Sequence, residues 1–525
     1  MRPDLSGIEL TRRRLLELAA RGAGGALAVP LLDPMAALSA VPRWPTRALP
    51  ASAARRVDPS QFLPASQLLA WQEQLDRMGL RATGSPIHER FVDALHERLA
   101  RAGVSELRFE PVPLDRWTTD SWSLGLVSGS SAGPVATASY IPYSGRTAAG
   151  GVSGALAVVD PNTPPAPGSL AGRIAVFDVP LTAFTYGTFL SISYKVYDPG
   201  KVFTPKGLYA RPWLGIGSEI TLLDALARAG AIAAVGVLDL PSEAAHGAYY
   251  PYDGVIRTVP GVYVDRDAGS LLKAAAAAGA SARVALPANI THVTSRNLIG
   301  VIPGASEELI LLHCHTDGTN GVEDNGPNAI VAMSQYLARL PRRSLPRTIM
   351  VLLTTGHFHG AIGTAEFVRR HRGGLLRRIA GAVTIEHLGA REWEPGSNGH
   401  YQLTGGFEPG TFFTPESSPL VDASYAALRD ARAAPGSVLR PYVAAPGSPD
   451  GNGWPAEGTD LWTAGAIPTT NYITGPSYLL NWGILTMDKL DIGRMWREAI
   501  AFTQMLIDLS RVPSSRLRRL DLLKH

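Results

Sequence analysis

Two histidines and an aspartate alternate in His313-Cys314-His315-Thr316-Asp317, and a Gly/Asn-rich loop then brings Glu323-Asp324-Asn325-Gly326. Imidazole nitrogens and carboxylate oxygens are the donors that divalent metals take from proteins. They are also the groups that move protons near neutral pH. The chemistry this stretch supports is therefore metal binding and acid–base work.

The positioning elements follow from the flanking pattern. The apolar run Leu309 to Leu312 reads as a buried strand, and Pro327 opens an amphipathic helix, a position that suits proline. The donors thus gather at the C-terminal end of a strand, where open α/β sheets place their ligands. Cys314 alternates with the histidines and should point to the opposite face as a small buried hydrophobe.

From Thr294 onward the pattern alternates strand and helix. Strands are expected at Asn297-Val301, Leu309-His315, Thr348-Thr354, Gly381-Glu386 and around Pro468-Tyr472. Helices are expected at Pro327-Leu340, Thr364-His371 and Leu490-Leu509. This predicts an α/β fold: a mixed, mainly parallel sheet sandwiched by helices. Upstream, Ser66 to Ala102 carries two helical faces split by the loop Gly79-Ser85, and a strand follows near Leu107-Val112. Between 121 and 290 the texture changes to short β-like runs with two alanine-rich helices, which predicts an inserted smaller α/β domain. Within it Phe184 to Trp213 is aromatic and irregular, and reads equally as a lid or as an aromatic mini-core. The expected organisation is 1–40 signal segment, 41–60 linker, 61–120 N-terminal part of the main domain, 121–290 insertion, 291–512 main domain and 513–525 a solvated basic tail.

With 49 Lys+Arg against 45 Asp+Glu, and arginine spread along the chain, nothing suggests a nucleic-acid groove. One cysteine in 525 residues excludes an internal disulfide framework. Thr11-Arg12-Arg13-Arg14-Leu15-Leu16, an apolar stretch to Leu32 and small residues at 36–40 have the order of a twin-arginine signal peptide, so export to a periplasmic, cell-wall or secreted location is expected. No later run approaches the roughly 20 apolar residues of a membrane span.

At these residues the chain resembles the M28 family of zinc aminopeptidases and carboxypeptidases, with an inserted protease-associated (PA) domain. The resemblance is carried by Arg81-Ala82-Thr83-Gly84-Ser85, Ala171-Gly172-Arg173-Ile174, Ala229-Gly230-Ala231, Asn297-Leu298-Ile299-Gly300, His315-Thr316-Asp317, Asp324-Asn325-Gly326, Gly465-Ala466-Ile467-Pro468 and Asp488-Lys489-Leu490-Asp491. It implies two zincs that share an aspartate. His315 would ligate one, Asp324 would bridge, Glu386 would stand in the place of a later aspartate, and Asp317 would hold the His315 tautomer from behind.

The second position departs from the family. Where the family has Gly-Glu-Glu, this chain has Gly356-His357-Phe358, so His357 replaces the general base and Phe358 a ligand. Asn481-Trp482-Gly483 puts glycine where the last histidine ligand belongs. The expectation is one divalent metal, zinc, on His315, Asp324 and Glu386, with no other cofactor. His357 would serve as base on a peptide, amide or related small-molecule acyl substrate, or would itself be a metal ligand. His313, His359 and His387 are additional nitrogens: His313 reads as a packed core residue, His359 as a rim residue, and His387 as facing away from Glu386. The alternatives are a non-peptidase enzyme on this fold, such as the one-zinc acyl transfer of glutaminyl cyclases, and a recognition protein like the transferrin receptor ectodomain. Oligomeric state is left open.

Overall fold

The computed structural model describes residues 44–129, 132–442 and 453–522. The expected signal segment lies outside them. Two faces of the central strand Ser306–His315 are buried, and they are buried against different layers. Ile310, Leu312 and Cys314 join the core that contains Ala329, Ile330 and Met333 of the helix Gly326–Leu337. Leu309 and Leu311 join a separate cluster with Phe367, Val368 and Leu376. Period-two alternation with apolar residues on both faces is what a strand covered on two sides requires.

That strand sits in a nine-stranded sheet. Its order is Ser105–Thr119, Ala288–Ile302, Arg347–Thr354, Ser306–His315, Ile379–Ile385, Thr469–Ile473, Gly410–Phe413, Gly436–Leu439, Ser193–Tyr197. The three junctions around Ser306–His315 and Ile379–Ile385 are parallel. The flanks are largely antiparallel, so the sheet is evenly mixed, with four parallel junctions of eight, rather than mainly parallel. The helices Ala65–Met78, Pro86–Arg101 and Ile492–Leu509 pack with Gly326–Leu337 over one face, as expected from their patterns.

A second, eight-stranded sheet is built between residues 123 and 285, inside the sequence interval expected for the insertion. The chain enters and leaves it through one long antiparallel ladder, Ser105–Thr119 on Ala288–Ile302. One part of the interval returns to the first sheet. Ser193–Tyr197 pairs with Gly436–Leu439 at its edge. The aromatic stretch therefore has regular structure of its own: Ala183–Thr185 pairs with Leu208–Ala210, and Tyr186 and Tyr209 are buried.

Two stretches expected to be open are packed. Leu49, Ala53, Ala54, Val57, Phe62 and Leu63 are buried, so the end of the 41–60 interval lies on the core. In the tail, Leu517 is fully buried and Arg518 donates to the carbonyls of Ala466 and Ile379. No helix among the described residues is long and apolar enough to cross a membrane.

Candidate metal and acid–base site

The ends of Ser306–His315, Arg347–Thr354 and Ile379–Ile385 lie side by side, and the loops leaving them deliver the site. His315 is the last residue of its strand and is fully buried. Its Nδ1–H donates to the backbone carbonyl of Asp317 at 2.9 Å, which fixes the tautomer and leaves the Nε2 lone pair facing inward. The tautomer is thus held by the Asp317 main chain, not by its carboxylate. That carboxylate accepts instead from the Thr83 hydroxyl at 2.6 Å and from the N–H groups of His357 and Phe358 at 3.1 and 2.9 Å. Asp317 is a positioning residue for the turn His357–His359.

Glu386 lies just past the end of its strand, with Oε1 taken by Asn471 Nδ2 at 2.8 Å and the Glu457 N–H at 3.3 Å. Its Oε2 has no hydrogen-bond partner and stands 3.7 Å from His315 Nε2. Burial first, and then the charge of Glu457, pushes this carboxyl up to about 7 against the pull of His357.

His387 was expected to face away from Glu386. It does not, because the strand has ended at Ile385 and His387 has a φ of 53°, which swings its ring inward. Asn325 holds this turn by donating to the Leu388 carbonyl at 2.7 Å and accepting from its N–H at 2.8 Å. His387 Nδ1–H donates to the Thr474 carbonyl at 2.6 Å, so its Nε2 is also left as a free lone pair.

Glu323 is read from sequence as a loop carboxylate but is given no role there. It is fully buried, and neither carboxylate oxygen has a hydrogen-bond partner. Its Oε1 lies 3.6 Å from His315 Nε2, 3.6 Å from His387 Nε2 and 3.8 Å from His357 Nε2. Burial, with Asp324 and Asp317 beside it, raises its carboxyl well above the usual range. Gly318 makes the room: a Cβ there would collide with the Glu323 and Asp324 side chains.

Asp324, expected as the bridging ligand, is paired elsewhere. Both its oxygens accept from the Arg81 guanidinium, Oδ2 from Nε at 2.7 Å and Oδ1 from an Nη, and both side chains are fully buried.

His357 stacks on His315 with ring centroids 4.2 Å apart. Its Nδ1 meets Glu457 Oε2 at 2.8 Å. Burial pulls its pKa down, but the hydrogen bond and charge of Glu457 outweigh that and leave it raised. Glu457 is in turn held down to about 2 by His357, against its own burial. Its other oxygen accepts from Thr354 at 2.9 Å and from Thr364.

The remaining candidates separate cleanly. His313 is buried between the hydroxyls of Thr384 and Thr354 at 3.0 and 3.1 Å, the packed core residue expected. His359 is at the edge against the Tyr143 ring. Phe358 is buried and packs on Tyr249 and Tyr252. Position 483 has no space for a side chain, since a Cβ there would strike the His246 ring.

Four buried groups without hydrogen-bond partners thus converge: His315 Nε2, His387 Nε2, Glu386 Oε2 and the Glu323 carboxylate. Leaving such groups unpaired is costly. The four imidazole–carboxylate separations among them, 3.6 to 4.0 Å, are close to the edge of about 3.4 Å that ligand atoms of tetrahedral zinc would span, and the ligand atoms of His315, Glu386 and His387 lie within 4.8 Å of one another, as do those of His315, Glu323 and His357. Two imidazoles and two carboxylates fit a divalent cation.

An aromatic pocket is lined by Phe184, Phe189, Phe203, Trp213 and Tyr442; none of the cluster residues lines it, but Thr474 is in its wall. Thr474 is the residue whose carbonyl holds His387.

Residues 297–409 match the family model of peptidase family M28. The fold is similar to a peptidase M28 precursor from Shewanella amazonensis SB2B, at TM-score 0.61 and 17% identity over 88% of this chain and 95% of that one. It is similar to BSAP, a zinc aminopeptidase from Bacillus subtilis, at TM-score 0.57 and 14% identity over 86% and 97%. An aminopeptidase from Aneurinibacillus sp. strain AM-1 gives 0.53 and 16% over 87% and 94%. No curated protein matches the chain. The match to the peptidase family M28 model thus spans residues 297–409, and the chain around it has a fold similar to that of the solved peptidase and aminopeptidase structures.

Proposed function

We propose that the chain is an exported hydrolase of peptide or related amide bonds that works with one divalent ion, zinc. The observation that carries this reading is the convergence of unpartnered, fully buried nitrogen and carboxylate groups around His315 and Glu386. When bound there, zinc supplies Lewis acidity, which polarises a carbonyl and lowers the pKa of water.

The chain's own groups handle the proton. Glu457 fixes the His357 ring through Nδ1, which turns Nε2 toward the cluster, 3.8 Å from Glu323. Nε2 takes a proton from the attacking water as its oxygen bonds to the carbonyl carbon. It returns that proton to the leaving amine nitrogen as the C–N bond breaks. The Asp317 carboxylate holds the turn that carries His357. Water is limited by a roof from the segment between the strands Ala233–Val237 and Gly261–Val264, where Tyr252 packs on His357 and its carbonyl accepts from the Gly360 N–H at 3.0 Å. The aromatic cavity beside Thr474 would take a bulky apolar group of the substrate. Export is supported by the order of arginines, apolar run and small residues at the N-terminus.

The test is turnover of a panel of aminoacyl and N-acyl p-nitroanilides before and after 1,10-phenanthroline, with zinc added back. Chelator-sensitive hydrolysis that zinc restores is expected. Hydrolysis indifferent to the chelator, or purified protein without metal by elemental mass spectrometry, would sink the reading.

A further inference from the structure

The two neighbouring acids Glu323 and Asp324 are both fully buried, yet their surroundings are opposite. Asp324 is closed by a cation. Arg81 donates to both its oxygens and spends its other N–H groups on the carbonyls of Leu75, Gly79 and Asn320. All five donors of the guanidinium are engaged, so the fork is locked from every side. Among the described residues, no histidine forms an ion pair with Asp324. Glu323 is open: it has no donor on either oxygen and three imidazole Nε2 atoms within 3.8 Å. The loop is built to aim it there. Asn320 Oδ1 accepts from the N–H groups of Val322 and Glu323 at 3.0 and 3.2 Å, and Gly318 leaves the space.

We propose that the metal site has shifted by one residue: the ion is held by His315, Glu323, Glu386 and His387, and Arg81 supplies beside Asp324 the positive charge a second ion would bring. This rests on the one-metal reading above. It assigns the loop carboxylate to Glu323 and makes Asp324 an internal counter-ion. It also accounts for a fully buried aspartate at 324 that faces a guanidinium and no imidazole. A guanidinium fixed by five hydrogen bonds neutralises that aspartate permanently, so no second ion is needed.

The experiment measures zinc content by elemental mass spectrometry, and Co²⁺ affinity by visible titration, on the purified full chain and its variants. Wild type should hold one ion. Glu323→Gln and His387→Ala should each weaken Co²⁺ binding by about a hundredfold or more and change the visible spectrum. Asp324→Asn should keep the ion within about threefold, with an unchanged spectrum. If Asp324→Asn fails to fold, the double variant Arg81→Met/Asp324→Leu removes both buried charges together and should bind like wild type. Two ions per chain would overturn the shift. So would loss of the ion in a folded Asp324 variant, or its retention in Glu323→Gln. A wild-type chain that binds neither Zn²⁺ nor Co²⁺ would overturn the hydrolase reading as well, which separates the two failures.

Discussion

His387 Nε2 lies 3.6 Å from Glu323 Oε1, although the two residues come from different loops and both are buried without a hydrogen bond at those atoms. The pairing depends on the left-handed backbone at His387 and on the Asn325 clamp that holds the next residue. It brings a second imidazole to the cluster that the strand pattern alone would have sent to the other face.

Removing the proposed base should slow chemistry more than binding. His357→Ala is expected to lower kcat by about 10²- to 10⁴-fold with little change in KM. Glu457→Gln keeps a hydrogen-bonding side chain but removes the charge, and should fall between wild type and His357→Ala. Steady-state kinetics on the best p-nitroanilide reads both. Full activity in His357→Ala would place the proton transfer on another group.

The Arg81–Asp324 pair makes a stability prediction independent of activity. Arg81→Met leaves a buried carboxylate without its cation and should cost roughly 3–5 kcal/mol. Combining it with Asp324→Leu should recover most of that loss. Urea unfolding midpoints of the two variants give the comparison.

Glu219, buried against Tyr263 in the second sheet's surroundings, gives a pH prediction. Burial raises its carboxyl from 4.5 to about 8, against the hydrogen bond from Tyr263 and the charge of Arg257. The folded state therefore binds the extra proton between those values. The stability this contributes is full below pH 4.5 and is lost as pH rises through about 8, with a slope of at most ~1.4 kcal/mol per unit. Glu219→Gln should flatten that fall in urea midpoints measured from mildly acidic to mildly basic pH.

The aromatic cavity should set side-chain preference. Phe189 is half-buried in its wall and packs edge-on against Tyr209, with centroids 5.4 Å apart. Phe189→Ala is expected to raise KM for phenylalanyl or leucyl p-nitroanilides several-fold and leave alanyl substrates nearly unchanged. Equal effects on all of them would assign the cavity to packing alone.

Much of the scaffold was legible because it is periodic. The strand ending in His315, the helix after Pro327 and the burial of Cys314 behind it all follow from spacing. His315 and Glu386 end neighbouring parallel strands, so their approach was readable from the strand–helix alternation. Glu457 was not, since it sits in an irregular loop 100 residues from His357 and no local pattern marks it. The choice between Glu323 and Asp324 was hidden for a similar reason. It is decided by Arg81, 243 residues earlier, whose partner no local spacing reveals. His387 was misplaced because alternation was extended past the last strand residue, where a positive φ resets it.

The lone thiol carries an experimental consequence. Cys314 is sealed behind Gly326, where a Cβ would collide with its sulfur, and burial raises its pKa well above the ordinary value. A sulfur with neither solvent contact nor thiolate character is silent toward alkylating reagents. Cysteines introduced at the surface are then the addressable handles on the chain, free of background from Cys314. A fluorophore or spin label on the rim beside His359, read against a second on the main sheet, would report directly whether the Tyr252 roof lifts when substrate arrives.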